Sequence, residues 1–533
     1  MRSRPTSFGL FFCIAMSLSA MSAVAADIPG LAGHWKLDGN ARDSATPAHD
    51  GQLNGRTEFF DSPIGGSGKL LWCNGVDSAV HVDQLPNWSA GDFTVSLWVC
   101  PLDLAATGIA GQGDMDHGWS IELAADHVIR FRVGAKEIDT IADRVGFGQW
   151  YHIAAGAQHG GKISLYVNGE LAAETERGAG AGASDAPMTI GCASPKGPFF
   201  SGLIDDVRIF SRSITTDEVA KLTDAGLPWL RSKPRAKQPF AGHFSLEPDD
   251  VVTFVGGEDA NAAQVAGYLE TLLTAGSAGK HVLFRDMAWE GDTVFEQWRI
   301  LNFGPWPRQF ERVGASILFV QFGQMESLNG KQGLDAFISA YETLLDEFQK
   351  RTQRIVLVTP TPFQKSTASF PDLTSHNQDL KLYADAIRKL AEKRGLLCVD
   401  LFSTLQEIPL SHPLTRDGIH LTPYGQWIAA RETARQIGLP STDPVTDDNH
   451  PRFERRELED IRVIAIEKNQ LWTRYWRPTN WAFLNGDRIS QPSSRDDVDR
   501  RIRWLPAEVQ QYPAMIAGKE KKIAEVSKAL EQR

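Results

Sequence analysis

In the stretch DGIHLTPYGQ, residues 417–426, an aspartate stands three residues before a histidine on a turn that leads into a helix. A carboxylate held against one ring nitrogen fixes the tautomer of an imidazole, so that the other nitrogen can take a proton from a nucleophile. Asp417 and His420 are therefore read as an orienting acid and a general base. Such chemistry also needs a nucleophile and donors for the developing negative charge, and both must come from elsewhere in the chain.

The elements that must position them begin near residue 250. VVTFVGG (251–257) is a continuous apolar run, as expected of a strand buried on both faces of a parallel sheet. AAQVAGYLETLLTA (262–275) follows as a predicted helix. HVLFR (281–285), SILFVQFG (316–323), RIVLVTPTP (354–362) and LLCVDL (396–401) are further predicted strands. Between the last two, Leu380, Tyr383, Ala384, Ile387 and Leu390 repeat at helical spacing and give one apolar face. The pattern predicts a three-layer α/β domain over 245–440, with about five parallel strands and its site at their C-terminal ends.

This region resembles the SGNH (GDSL-type) hydrolases, a family of esterases and acetylhydrolases. Asp417 and His420 match the family's late D-x-x-H, and Gly291 in RDMAWEGDT (285–293) matches the glycine whose amide helps form the oxyanion hole. Gly323-Gln324-Met325-Glu326 aligns with G-x-N-[DE], and Gly256-Gly257-Glu258 aligns with the G-D-S that follows the first strand. Two positions depart from the family: Glu258 replaces the nucleophilic serine, and Met325 replaces the asparagine donor. Glutamate cannot follow the acyl-enzyme route of serine, because its acyl product would be a mixed anhydride. A methionine sulfur cannot donate to an oxyanion, and losing one such donor costs on the order of 100–1000-fold in rate.

What remains supports two readings. In one, His420 and Asp417 activate water directly, with the Gly291 amide at the oxyanion and Glu258 or Asp259 as a second carboxylate. A histidine with two carboxylates also suits a metal, although no local spacing calls for one. In the other, the domain keeps its fold without the chemistry, and Asp417 and His420 serve as a turn and helix cap. Glu326 and Asp292 are read as loop anchors, and His376 as a helix cap or cleft residue. Ser327 follows a different strand and is not read as a substitute nucleophile.

Residues 28–229 read differently. FTVSLWV (93–99), HVIRFRV (127–133), WYHIAAGA (150–157) and KISLYVNGEL (162–171) are short β-branched and aromatic runs, and Asn168-Gly169 between apolar runs signals a hairpin. Many short strands at this spacing favour an all-β sandwich. HWKLDGNARDS (34–44), FTVSLWVCP (93–101) and GLIDDVRIFSRSIT (202–215) resemble a laminin G/concanavalin A-like jelly roll. The resemblance implies binding to a polysaccharide or glycan, and a role in adhesion or targeting. It also implies that Ca²⁺ can be bound by Asp38, Asp43, Asp205 and Asp206, since hard oxygen ligands suit calcium. The same aspartates equally suit turn caps.

The basic, proline-bearing stretch over 230–244 reads as a linker. Residues 441–533 are expected to form a helical extension. IEKNQLWTRYWRPTNWAFLNGDR (466–488) resembles an extension in one subgroup of exported bacterial SGNH-like proteins; Trp476 and Arg477 in it either close over the site's mouth or pack on the domain surface.

A chain of 533 residues is too long for one core, so a multidomain protein is expected. The net charge of −11 argues against nucleic acid as a main partner. Arg2 and Arg4, an apolar run from Phe8 to about Met21, and small residues at Ala23, Ala25 and Ala26 form an export signal over 1–26. No later run is long and apolar enough to span a bilayer, so a periplasmic or extracellular protein with no membrane partner after cleavage is expected. Cys73, Cys100, Cys192 and Cys398 then remain; three lie in the first half, which allows at most one disulfide there. No CxxC or Cys/His cluster suggests structural zinc.

Overall fold

A computed structural model describes residues 28–531 apart from 67, 84, 87, 114–116, 143, 179–185, 196, 228–229, 231–237, 298–303, 367–369, 440–444 and 486–487. The leader over 1–26 and much of the linker at 230–244 lie outside the described residues.

The first half is a sandwich of an eight-stranded and a seven-stranded sheet, paired antiparallel throughout. Val95 and Leu97 from one sheet meet Ile121, Phe131 and Ile190 from the other in a single core. The strand Phe93–Pro101 is buried at every position, which explains its unbroken apolar sequence. Its inner residues face the opposite sheet, and Trp98 on its outer face is covered by the helix Thr216–Gly226 at Gly226. Asn168 and Gly169 both take positive φ, 53° and 82°, in the two-residue hairpin that their sequence signals. Cys73, Cys100, Cys192 and Cys398 are all free thiols.

The second half is built on five parallel strands: β1 (Val251–Gly256), β2 (Leu283–Asp286), β3 (Ile317–Gln321), β4 (Ile355–Val358) and β5 (Leu397–Val399). Their order across the sheet is β2-β1-β3-β4-β5. Alternate residues serve opposite layers. Phe254, Phe319 and Val358 pack beneath one set of helices, while Val255, Val320 and Leu357 pack beneath the other. Both faces are covered, so the strands read as continuous apolar runs.

The helices that matter for the site are α1 (Glu258–Val265), α2 (Tyr268–Ala275), α3 (Trp306–Val313), α4 (Leu334–Gln349), α5 (Asn377–Arg394), α6 (Leu401–Glu407) and α7 (Pro423–Gln436). The single helix expected over 262–275 is two helices, and the first begins at Glu258. The break falls at Gly267, whose φ is +72°, and a Cβ there would meet the backbone oxygen of Arg462 at 3.1 Å. A side chain there would strain the left-handed backbone and press a neighbouring helix by a few tenths of an ångström.

That neighbour is α8 (Arg456–Trp476), which packs beside a second long helix of the tail, α9 (Tyr512–Glu531). Lys468 of α8 reaches Glu270 of α2 at 2.6 Å, with both side chains 1% exposed. Asn469 donates to the other Glu270 oxygen at 3.1 Å, and the Trp472 indole donates to the Asp286 carbonyl at 2.6 Å. The tail is thus built into the α/β unit.

Candidate active site

The loops at the C-terminal ends of β1, β2 and β3 and the turn before α7 converge on one place. Thr422 caps α7 by accepting from the Gly425 amide, with Pro423 at the first helical position, and this fixes the end of the DGIH turn. Within the turn, Asp417 Oδ1 accepts the His420 amide at 2.8 Å and the Ile419 amide at 3.1 Å. Its Oδ2 lies 2.6 Å from His420 Nδ1. Burial pushes the Asp417 carboxyl up, but those amides and the ring outweigh it and hold the group at about 2. An ionised Asp417 accepts a proton-bearing Nδ1, which leaves Nε2 of the neutral ring as the acceptor.

Nε2 faces Glu258. The two approach to 3.8 Å, with side-chain exposures of 37% for His420 and 20% for Glu258. Glu258 is the first residue of α1, immediately after β1. A carboxylate is favoured there by the helix dipole and by the unpaired amides of the first turn. Partial burial nonetheless raises its carboxyl, opposed by His420 and assisted by Glu290. The separation exceeds a direct hydrogen bond and keeps the two groups in electrostatic reach.

Gly291 sits at φ +85° in a turn where the Asp292 amide donates to the Trp289 carbonyl at 3.0 Å. Its own N–H has no partner among the described residues, and the space where a Cβ would lie is open. Like the first-turn amide of Glu258, it is a backbone donor on the loops at this end of the sheet. Met325, 42% exposed after β3, supplies none. Glu326 anchors the loops as expected, since its two oxygens accept the Val294 and Gly323 amides, both at 2.9 Å. Ser327 is fully buried and donates to the Gln324 carbonyl at 2.6 Å, so it is not a nucleophile. His376 precedes α5 without a side-chain capping bond.

Asp259, the alternative second carboxylate, is buried with its oxygens held 2.9 Å from the amide and hydroxyl of Thr361. Burial lifts its carboxyl to about 6 despite those bonds. The carboxylate beside His420 is therefore Glu258.

The tail contributes a residue whose role the sequence left open. Arg477 donates to Asn261 of α1 at 2.9 Å and lies over the Trp289 ring, 5.0 Å from its centroid. Asn261 in turn donates to Glu290 at 3.3 Å. Arg477 thus braces the turn that carries Gly291 from behind. The roles of Asn261, Glu290 and Thr361 have no short-range signal, because each depends on a partner from a different loop.

The four sandwich aspartates each have their own partners. Among the described residues, no three acidic, histidine or cysteine side chains gather as a metal set. Asp43 is saturated by the amides of His34, Ala45 and His49, at 2.7, 2.8 and 2.9 Å. Asp206 is paired with His34 at 2.7 Å and Arg208 at 2.8 Å. Asp38 accepts the Lys69 amide at 2.6 Å, and Asp205 accepts from the Ser62 hydroxyl. Burial, then the charge of Asp206 and to a lesser degree that of Asp38, push the Asp205 carboxyl well up.

The geometry defines an α/β domain in which an aspartate–histidine pair faces a carboxylate at the start of the first helix, joined to a β-sandwich. The comparisons put families to both. Residues 74–220 match the concanavalin A-like lectin/glucanases superfamily, in its laminin G form, and residues 250–428 match the GDSL-like lipase/acylhydrolase family. The chain carries a concanavalin A-like laminin G domain followed by a GDSL-like lipase/acylhydrolase domain. No curated protein matches it.

Solved structures that resemble parts of it include domain 4 of AbnA, an extracellular GH43 arabinanase from Geobacillus stearothermophilus in complex with arabinotriose. That match is 24% identical, covers 36% of this chain and 98% of the other, and has a TM-score of 0.31. The binding domain of Paraclostridial Mosquitocidal Protein 1 is 18% identical over 40% of this chain and 55% of its own, with a TM-score of 0.32. A botulinum neurotoxin type C structure is 16% identical over 39% and 53%, also at 0.32. The chain spans about half the length of these last two.

Proposed function

We propose that this chain is an exported protein that holds acylated polysaccharide, the sandwich gripping the glycan and the GDSL-like domain receiving its ester without serine turnover. One observation carries the reading: Glu258 stands 3.8 Å from His420 Nε2, where acyl transfer needs a hydroxyl. The lectin and glucanase character of the sandwich's superfamily supports a glycan as the ligand. Export rests on the leader sequence.

A second reading is favoured by the intact dyad and the open Gly291 amide. A water beside Nε2 gives a proton to His420 and attacks the ester carbonyl; the oxyanion rests on the amides, and its collapse breaks the ester C–O bond as the imidazolium, stabilised by Asp417, passes the proton to the leaving alcohol.

Acetate release from p-nitrophenyl acetate and an acetylated polysaccharide separates the two. We expect background release from the wild type and from His420→Ala, and esterase activity in Glu258→Ser/Met325→Asn of at least about 100-fold over background, the scale of restoring one oxyanion donor. Wild-type release that disappears in His420→Ala would establish the water route instead. A double variant as inert as the wild type would overturn the placement of Glu258 at the nucleophile position.

In this proposal the calcium of the sandwich would be held by Asp38 and Asp205, with no contribution from Asp43 or Asp206. Calcium then raises the melting temperature of the wild type by several degrees over EDTA and leaves Asp205→Asn unmoved. Equal shifts in both would remove calcium from that pair.

A further inference from the structure

Away from Glu258 and His420, an open cleft of about 480 Å³ lies where the sandwich and the tail meet. Leu104, Val145 and Phe147 wall it on the sandwich side, and Pro478, Trp481 and Leu484 on the tail side. Tyr475 lines both this cleft and a second cavity, of about 260 Å³, between the sandwich and the α/β unit. Trp481 begins the short helix Trp481–Asn485 and is 40% exposed, so its ring is presented at the cleft and not packed into a core. Arg503 ties the two walls together. It donates to the Leu102 carbonyl at 3.5 Å and to the Phe483 and Leu484 carbonyls at 3.1 and 2.6 Å, with its guanidinium over the Phe147 ring. The cleft is therefore built before a ligand arrives.

Gln149, on the sandwich wall, offers this cleft a polar group of one sign. The Gly146 amide donates to the Tyr151 hydroxyl at 2.8 Å, and that hydroxyl in turn donates to Gln149 Oε1 at 3.0 Å. The relay fixes which way the side-chain amide is turned: its oxygen is taken, and the two N–H groups of Nε2 are what it has left to give. Nε2 has no partner among the described residues, and it is not closed off from solvent. A donor at the edge of an aromatic and aliphatic cleft selects a ligand that brings an acceptor together with apolar surface.

We propose that this cleft holds an acetylated pyranose of the glycan, with the sugar face on Trp481, the acetyl carbonyl on Gln149 Nε2 and the acetyl methyl among the aliphatic walls. The inference rests on the glycan reading given above and names the part of the glycan that is read. The C–H face of a pyranose buries apolar surface on an indole ring while its hydroxyls stay in water at the rim. A cavity of about 150 Å³ takes benzene, so a cleft of about 480 Å³ takes one acetylated sugar of about 15 non-hydrogen atoms. Removing the acetyl group takes away both the carbonyl acceptor and the methyl that the walls bury.

Affinity electrophoresis of the full chain in gels carrying O-acetylated xylan, glucomannan or pectin, each before and after alkaline deacetylation, tests this. At least one acetylated polymer is expected to retard the wild type, and its deacetylated form to bind at least about tenfold more weakly. Trp481→Ala should weaken binding of the acetylated polymer by about tenfold or more. Gln149→Glu keeps an oxygen for Tyr151 and replaces the donor by a second oxygen, so it should lose most of the preference for the acetylated form; it carries the test should Trp481→Ala not fold. Retardation of the wild type by none of the polymers would overturn the glycan reading and this one with it. Retardation unchanged in the folded variants, or equal for the two forms of a polymer, would leave the glycan reading standing and overturn the cleft.

Discussion

Asp259 and Glu258 are adjacent in sequence and have opposite surroundings. One is half-buried and faces His420; the other is buried against Thr361 and lifted to about 6. The sign of the consequence follows directly. Between the ordinary aspartate value and about 6, the folded state holds a proton that the unfolded state has released, so stability falls as pH rises through that window. The difference amounts to about 2–3 kcal/mol. Asp259→Asn should remove it: urea unfolding at pH 4 and pH 7 should show the variant gaining on the wild type by about that amount at the higher pH. A constant difference would mean that Asp259 is not the titrating group. The dyad was readable because Asp417 and His420 are three residues apart and one turn fixes both. The surroundings of Asp259 were not, because Thr361 lies 102 residues away.

At the scale of elements, the five strands were readable as apolar runs because a sheet covered on both faces leaves no polar alternation. The helix expected over 262–275 was misplaced for the reason that makes the fold work. Alanine and leucine carry helical preference across Ala266-Gly267, and the break is imposed by α8 from outside. The same helix supplies Lys468 to Glu270, a pair hidden in a chain whose linear charge pattern shows only a solvated amphipathic tail. Breaking such a pair strands a charge. Lys468→Met should cost about 3–5 kcal/mol in the unfolding of the α/β unit, and Lys468→Met/Glu270→Leu should recover most of it. Equilibrium denaturation of both variants checks this; equal losses would show that the lysine acts through packing alone.

For the whole molecule, the sequence distinguishes an all-β half, an α/β half and a helical tail, but not how they assemble. Arg144–Glu311 at 2.9 Å, the Arg312 contacts with Tyr475 and Trp476, and Arg477 over Trp289 join parts that share no local pattern. Composition gives no hint that RYWRPTN sends Tyr475 and Trp476 to the cavity between the sandwich and the α/β unit and Arg477 to the Gly291 turn. The cavity between the parts and the candidate active site are linked by neighbouring residues, Trp476 in one and Arg477 behind the other.

The Lys468–Glu270 pair also sets a timetable. Glu270 leaves the ribosome 198 residues ahead of the lysine that neutralises it. At about 5–20 residues per second, the nascent α/β sheet waits roughly 10–40 s with the bed of α8 uncovered, while the sandwich ahead of it has already been synthesised. That interval is when a holding chaperone meets this half of the chain unfinished.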